Sequence, residues 1–119
     1  AALTHIYFSL DPGEVSRFHR VASDEVWNLY DGPGVRLHLW VGNGDVETIE
    51  LSHAKREWCH VIPAGSWQAA EPLSGTVLVG CTVGPGFEFE DFELRDGGHP
   101  DATRLLETHS QFDRFLGSR

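Results

Sequence analysis

Apolar and polar residues alternate with a period of two through most of the chain. The alternation marks short strands at Thr4 to Leu10, Val15 to Val21, Glu25 to Tyr30, Val35 to Val41 and Val46 to Leu51. It resumes at Trp58 to Ile62, Ser66 to Ala70, Val77 to Val83 and Phe87 to Leu94. A strand turns successive side chains to opposite faces, so each segment offers one face to a core and one to its surroundings. Turn-forming clusters separate the segments: Asp11-Pro12-Gly13, Asp31-Gly32-Pro33-Gly34, Gly42-Asn43-Gly44-Asp45, Pro63-Ala64-Gly65, Leu73-Ser74-Gly75 and Gly84-Pro85-Gly86. Short strands with turns at this spacing predict an antiparallel sandwich or barrel. Asn43-Gly44 is the clearest tight-hairpin signal. In the last strand, Phe87 and Phe89 share a parity that Phe92 and Leu94 do not. A bulge near Asp91 repairs this, because one extra residue re-aims everything after it.

Only the tail has a helical period. Pro100 suits a first helical turn, and Leu105, Leu106, His109, Phe112 and Leu116 follow at spacings near three and four. Ser110 can open a second short helix, which predicts a break near Thr108.

Composition narrows the function classes. The 119 residues suit one domain, 1–119, large enough to bury a core without disulfide or metal staples. The 40% apolar content argues for that core and against disorder. Nine Lys+Arg against 18 Asp+Glu leave a formal charge of −9. Nucleic acids and anionic membranes need a basic footprint, so neither is expected as a partner. No apolar run approaches the roughly 18 residues of a spanning helix. No basic region followed by an apolar stretch opens the chain, so no signal peptide and a cytoplasmic location are expected. The sequence holds no Met, which predicts removal of the initiator. Cys59 and Cys81 match no paired zinc pattern and are expected as free thiols. Cys81 lies in an apolar strand, where a thiol is a poor nucleophile.

The chemistry concentrates between Gly13 and Gly32. Arg17, His19 and Val21 share one strand face, and core-facing Val21 would turn His19 and Arg17 inward too. Glu25 opens the next strand after Ala22-Ser23-Asp24, so a hairpin would bring it close to His19. Trp27 shares the parity of Glu25. Gln68 follows Pro63-Ala64-Gly65 and would arrive from a facing strand, with Trp67 at the rim. Arg36, His38 and Trp40 alternate with Val35, Leu37, Leu39 and Val41; either set can face inward, and His38 is a candidate if its set does. A carboxylate beside an imidazole fixes the tautomer and suits acid–base work near neutral pH. His5, His53, His60, His99 and His109 have no partner pattern, and Glu88, Glu90, Asp91 and Glu93 suit a solvated acidic stretch.

Gly13, His19, Glu25 and Gly32 stand at the spacings of the first motif of the cupin superfamily, with Val21 where that motif has a second histidine. Pro63-Ala64-Gly65 resembles the second motif, with Gln68 for its histidine and Pro72 for its asparagine. Ile6-Tyr7-Phe8, Phe18-His19-Arg20, Ser23-Asp24-Glu25-Val26-Trp27, Leu37-His38-Leu39, Val79-Gly80-Cys81-Thr82-Val83 and Pro85-Gly86-Phe87-Glu88-Phe89-Glu90-Asp91-Phe92-Glu93-Leu94 are similar to the DUF985 branch, cupin_5. Asn28 stands where that branch commonly has histidine. The resemblance implies an all-β, cupin-type double-stranded β-helix (a jelly-roll barrel) with a short C-terminal helical segment, pairing through its sheets as a homodimer. It implies a small-molecule substrate inside the barrel and isomerase-, epimerase-, lyase- or cyclase-like acid–base chemistry on a carbonyl-containing metabolite. His19 and Glu25 are then the catalytic candidates. Arg17, Gln68, Trp27, His38 and Trp67 are the substrate-binding candidates. No cofactor is expected, because an aliphatic residue and an amide replace two ligands of a metal-binding cupin. A weakly held divalent metal on His19, Glu25 and Gln68, serving an oxygenase or decarboxylase, is the alternative. A non-catalytic binding protein for a small metabolite is the third reading.

Overall fold

The computed structural model describes residues 2–86, 92–94 and 100–116. Its strands are β1 (Thr4–Leu10), β2 (Ser16–Val21), β3 (Asp24–Asp31), β4 (Gly34–Trp40), β5 (Glu47–Ser52), β6 (Cys59–Ile62), β7 (Trp67–Pro72), β8 (Val77–Gly84) and β9 (Phe92–Leu94). Helix α1 (Pro100–Thr108) and a 3-10 helix, Ser110–Phe115, follow. The predicted break thus falls at His109. The bulge expected near Asp91, the residues Phe87 to Glu90 and His99 lie outside the described residues.

The strands form two antiparallel sheets, ordered β1-β8-β3-β6 and β5-β4-β7-β2-β9. Leu10, Trp27, Leu29, Val77 and Val79 of the first sheet meet Val35, Leu37, Leu39, Leu51 and Ala70 of the second in one buried cluster. The period-two alternation therefore becomes the inner layer of a two-sheet barrel. The tight hairpin expected at Asn43-Gly44 is replaced by a wider connection, since the last β4–β5 pair is Leu39 with Glu47. The loop instead lies over Trp40, whose Nε1–H donates to the Gly44 carbonyl at 3.2 Å. At Gly32, with φ +96°, an added Cβ would meet the backbone of Val77 at 2.8 Å. Only glycine fits this close approach of two turns.

The helical tail covers the outer face of the five-stranded sheet. Phe18, Trp40, Trp67 and Ala69 of that face pack with Ala102, Leu105, Phe112, Phe115 and Leu116 in a second core. This explains the helical spacing of the tail's apolar residues: they have a sheet to cover. His38 also faces this way and is buried under the tail, its ring 4.8 Å from that of Phe112 and 5.0 Å from that of Phe115. Its Nε2 lies 2.7 Å from Oε2 of Glu71, and its Nδ1 lies 2.9 Å from the Thr48 hydroxyl. Arg114, from the 3-10 helix, donates to the other oxygen of Glu71. Burial lowers the pKa of His38, outweighing the opposing pull of Glu71. In the neutral ring, Nε2–H donates to Glu71 and the Thr48 hydroxyl donates to Nδ1.

Candidate functional site

The cavity lies between the sheets and has two lobes that share Ile6, His19, Glu25 and Cys81. One lobe, of about 460 Å³, adds Thr4, His5, Val21 and Val83. The other, of about 320 Å³, adds Phe8, Ser16, Arg17 and Trp27. Each lobe alone is within the range of small-molecule sites.

His19 and Glu25 do not meet as neighbours on a hairpin. β2 pairs with β7 and β9, while β3 pairs with β6 and β8. The turn at residues 22–23 therefore carries the chain from one sheet to the other, and the two side chains enter the cavity from opposite layers. The Pro63–Gly65 turn clamps this crossing. Its Gly65 N–H donates to the Val21 carbonyl at 3.0 Å, and the Ala64 N–H donates to Asp24 at 2.8 Å. From that turn β7 begins, setting Gln68 opposite His19, while β6 ends with Ile62 opposite Glu25. The turn signal that points to Gln68 in the sequence thus also aligns the two sheets.

A register shift lies in β2, where three steps from Ser16 to His19 match two in β7. Such a bulge turns adjacent residues the same way, and Ser16 and Arg17 both border the cavity. The Nδ1 of His19 lies 2.8 Å from the Arg17 carbonyl oxygen. A carbonyl only accepts, so Nδ1 carries the proton and Nε2 is the basic nitrogen of the neutral ring.

Glu25 is 5% exposed, and a buried carboxylate is costly unless donors reach it. Gln68 supplies one: its Nε2–H donates to Oε1 of Glu25 at 3.0 Å. The indole N–H of Trp27 donates to Oε1 of Gln68 at 2.6 Å. Because indole can only donate, it fixes which end of the amide faces Glu25. Cys81 hydrogen-bonds Glu25 as well. Burial pushes the Cys81 thiol up, and the charge and hydrogen bond of Glu25 push it further. The thiol stays protonated, a donor to the carboxylate and not a nucleophile. Both cysteines are free, Cys59 exposed and Cys81 buried.

Of the residues singled out in the sequence, Arg17, His19, Glu25 and Trp27 line the cavity. Gln68 is 1% exposed and stands behind Glu25, where its amide is occupied by Glu25 and Trp27; it reaches a ligand through Glu25. His38 and Trp67 are corrected: both lie on the outer face under the tail. Strand parity places them there, since β4 turns Val35, Leu37 and Leu39 inward and His38 outward. The Trp67 ring carries the Arg20 guanidinium 4.3 Å from its centroid. Ile6, Phe8, Val83 and Cys81 line the cavity without having been singled out. The parity that joins Cys81 to Val79 and Val83 was the available signal.

The same contacts bear on a metal. The position of a second histidine holds Val21, and the only ligating atom of Gln68 accepts the indole hydrogen bond. Among the described residues no three His, Cys, Asp or Glu side chains converge as a ligand set. The described residues do not fit a cupin metal centre.

Two packed sheets around an interior cavity, with a loop-clamped His and Glu facing each other, define a cupin β-sandwich. The chain belongs to the cupin_5 family of the cupin superfamily (DUF985), whose model matches residues 1–95. Its solved relatives include a protein from Shewanella oneidensis, 32% identical, with a TM-score of 0.79 over 98% of this chain and 75% of that one. RmlC from Streptococcus suis, solved with dTDP-D-xylose, is 13% identical with a TM-score of 0.69 over 98% of this chain and 61% of that one. Oxalate decarboxylase from Bacillus subtilis is 14% identical with a TM-score of 0.71, over 99% of this chain and 32% of that one. The last two likenesses concern the fold. No curated protein matches the chain. Among the described residues, no helix is long and apolar enough to cross a membrane.

Proposed function

We propose that this cupin is an acid–base enzyme that moves a proton on a carbonyl-containing small molecule inside the barrel. Isomerisation, epimerisation, elimination and cyclisation all begin this way. The carrying observation is that a basic Nε2 on His19 and a buried, donor-held Glu25 border the same cavity from opposite sheets. In the reaction, Nε2 of His19 takes a proton from the carbon next to the carbonyl. The C–H electron pair becomes the carbon–carbon double bond of an enolate, and the carbonyl oxygen takes the charge. Return of a proton to carbon restores the base. The superposition on RmlC supports a small-molecule site within the barrel but supplies no substrate.

The test is proton exchange in heavy water. Carbonyl compounds with acidic α-hydrogens, followed by NMR, are expected to gain deuterium with the wild-type protein and not with His19→Ala. Exchange that survives His19→Ala removes His19 from the mechanism.

We also propose that two copies pair through the outer face of the four-stranded sheet. Tyr7 (69% exposed), Tyr30, Leu78 and Val61 stand exposed there, and the Tyr7 and Tyr30 rings lie 5.3 Å apart. Light scattering at micromolar concentration is expected to give twice the single-chain mass, falling to one chain in Tyr7→Asp. A single-chain mass for the wild type overturns the pairing.

A further inference from the structure

The two lobes of the cavity differ in chemistry, and His19 and Glu25 stand where they join. On one side stands Arg17, the only Lys or Arg among the described residues that borders either lobe. On the other side Val21 and Val83 make an apolar wall, with Ile6 at the junction. We propose that the cavity takes a singly charged keto carboxylic acid, with its carboxylate beside Arg17, its carbonyl between His19 and Glu25, and its hydrocarbon part against Val21 and Val83. The position of the carbonyl rests on the proton-transfer reading; the charged and apolar ends rest on the cavity itself.

Charge sets the limit of one anion. The chain carries a formal −9, and Glu25 is already a carboxylate inside the cavity. One guanidinium can pair with one carboxylate, often through two parallel hydrogen bonds. A nucleoside diphosphate brings two negative groups, and sites for such groups commonly use helix N-termini or several cations. Among the described residues this cavity is walled by strands and offers one Arg. The order of the lobes adds a second constraint. An acid with its hydrocarbon part and its carboxylate on opposite sides of the carbonyl fills both lobes at once, with the reacting carbon at the junction.

Calorimetric titration with four probes tests the proposal: 2-oxo-4-phenylbutanoate, its neutral analogue 4-phenyl-2-butanone, pyruvate and dTDP-glucose. The phenyl keto acid is expected to bind about tenfold or more tightly than the ketone, the scale of a charge-assisted contact. It is expected to bind more tightly than pyruvate, which lacks the apolar part, and than dTDP-glucose. In Arg17→Gln, an exposed position whose loss leaves the core intact, the acid should fall to the level of the ketone and the ketone should be unchanged. Three results overturn the proposal: no binding of the phenyl keto acid at millimolar concentration, tighter binding of dTDP-glucose, or a gap between acid and ketone that persists in Arg17→Gln. Deuterium exchange separates this from the catalytic reading. Arg17-dependent binding without exchange refutes proton transfer and keeps the ligand class. His19-dependent exchange of another carbonyl compound, with no binding of the keto acid, does the reverse.

Discussion

Replacing Glu25 by Gln is expected to slow α-proton exchange on a bound carbonyl compound by about 10²-fold or more, the usual scale for general acid–base catalysis. The substitution keeps the shape of the side chain. A glutamine amide can turn its oxygen toward the Gln68 Nε2–H, so the link at 3.0 Å can survive and the fold with it. What disappears is the negative charge facing His19 across the cavity. Gln68→Leu provides the contrast. It leaves the Trp27 indole N–H and one oxygen of Glu25 without their partner, and each orphaned buried group costs about 1–3 kcal/mol. That variant should therefore lose stability as well as rate, whereas Glu25→Gln loses rate with its unfolding midpoint nearly unchanged. Unfolding curves beside exchange rates distinguish the two. A Glu25→Gln protein with wild-type exchange would make Glu25 a structural group. Restoration of the lost rate by added divalent metal would instead return the metal reading, which the donor set opposes.

The largest loss of stability is expected at Phe18. Its ring is fully buried between the five-stranded sheet and the tail, with centroids 5.9 Å from Phe112 and 6.1 Å from Phe115. Phe18→Ala should cost about 3–5 kcal/mol in urea unfolding, a large part of an ordinary domain's stability. A loss below about 1 kcal/mol would mean that the tail does not pack on the sheet in solution. The same interface should loosen in acid. The folded pKa of His38 lies below its ordinary value near 6.5, so the contribution of the neutral ring is complete above that value. It is lost as pH falls below 6.5 toward the folded pKa, because the unfolded chain binds the proton first. Burial pushes the Glu71 carboxyl up, but hydrogen bonds from His38 and Arg114 outweigh it and hold the carboxyl below the usual range. Its contribution fades with acid too, at lower pH. Hydrogen exchange in α1 should therefore rise below pH 6.5 before exchange in β3 does, and His38→Phe should shift that onset.

The strands and the tail were legible because their signals are local. Alternation placed β1 from Thr4 to Leu10 and β8 within one residue of its observed end. Pro100 and the break before Ser110 placed the tail helices. The sheet to which each strand belongs is not local information. His19 and Glu25 were expected across a hairpin, yet the crossing at residues 22–23 puts them in opposite layers. Parity alone groups Leu37 against His38 but cannot say which side holds the cavity and which the tail. Both faces of β4 are largely buried, and the usual contrast of an apolar face with a wet one is missing. Gln68 was found by its spacing from Pro63 and Gly65. Its task was not, because that depends on the indole of Trp27, 41 positions away in the chain.

The pairing of β1 with β8 places Thr4 against Val83 and Leu10 against Val77. Ile6 and Phe8 of β1 supply one wall of the cavity. During synthesis β1 must wait for more than half of the domain to be translated before its partner exists, and closing so long a loop is entropically late and slow. Until β1 docks, β8 has a bare edge, and β3, β6 and β8 can assemble without β1. The binding pocket is therefore among the last parts of the molecule to mature. A chain stalled before residue 83 leaves β1 exposed as an aggregation hazard for the chaperones that attend it.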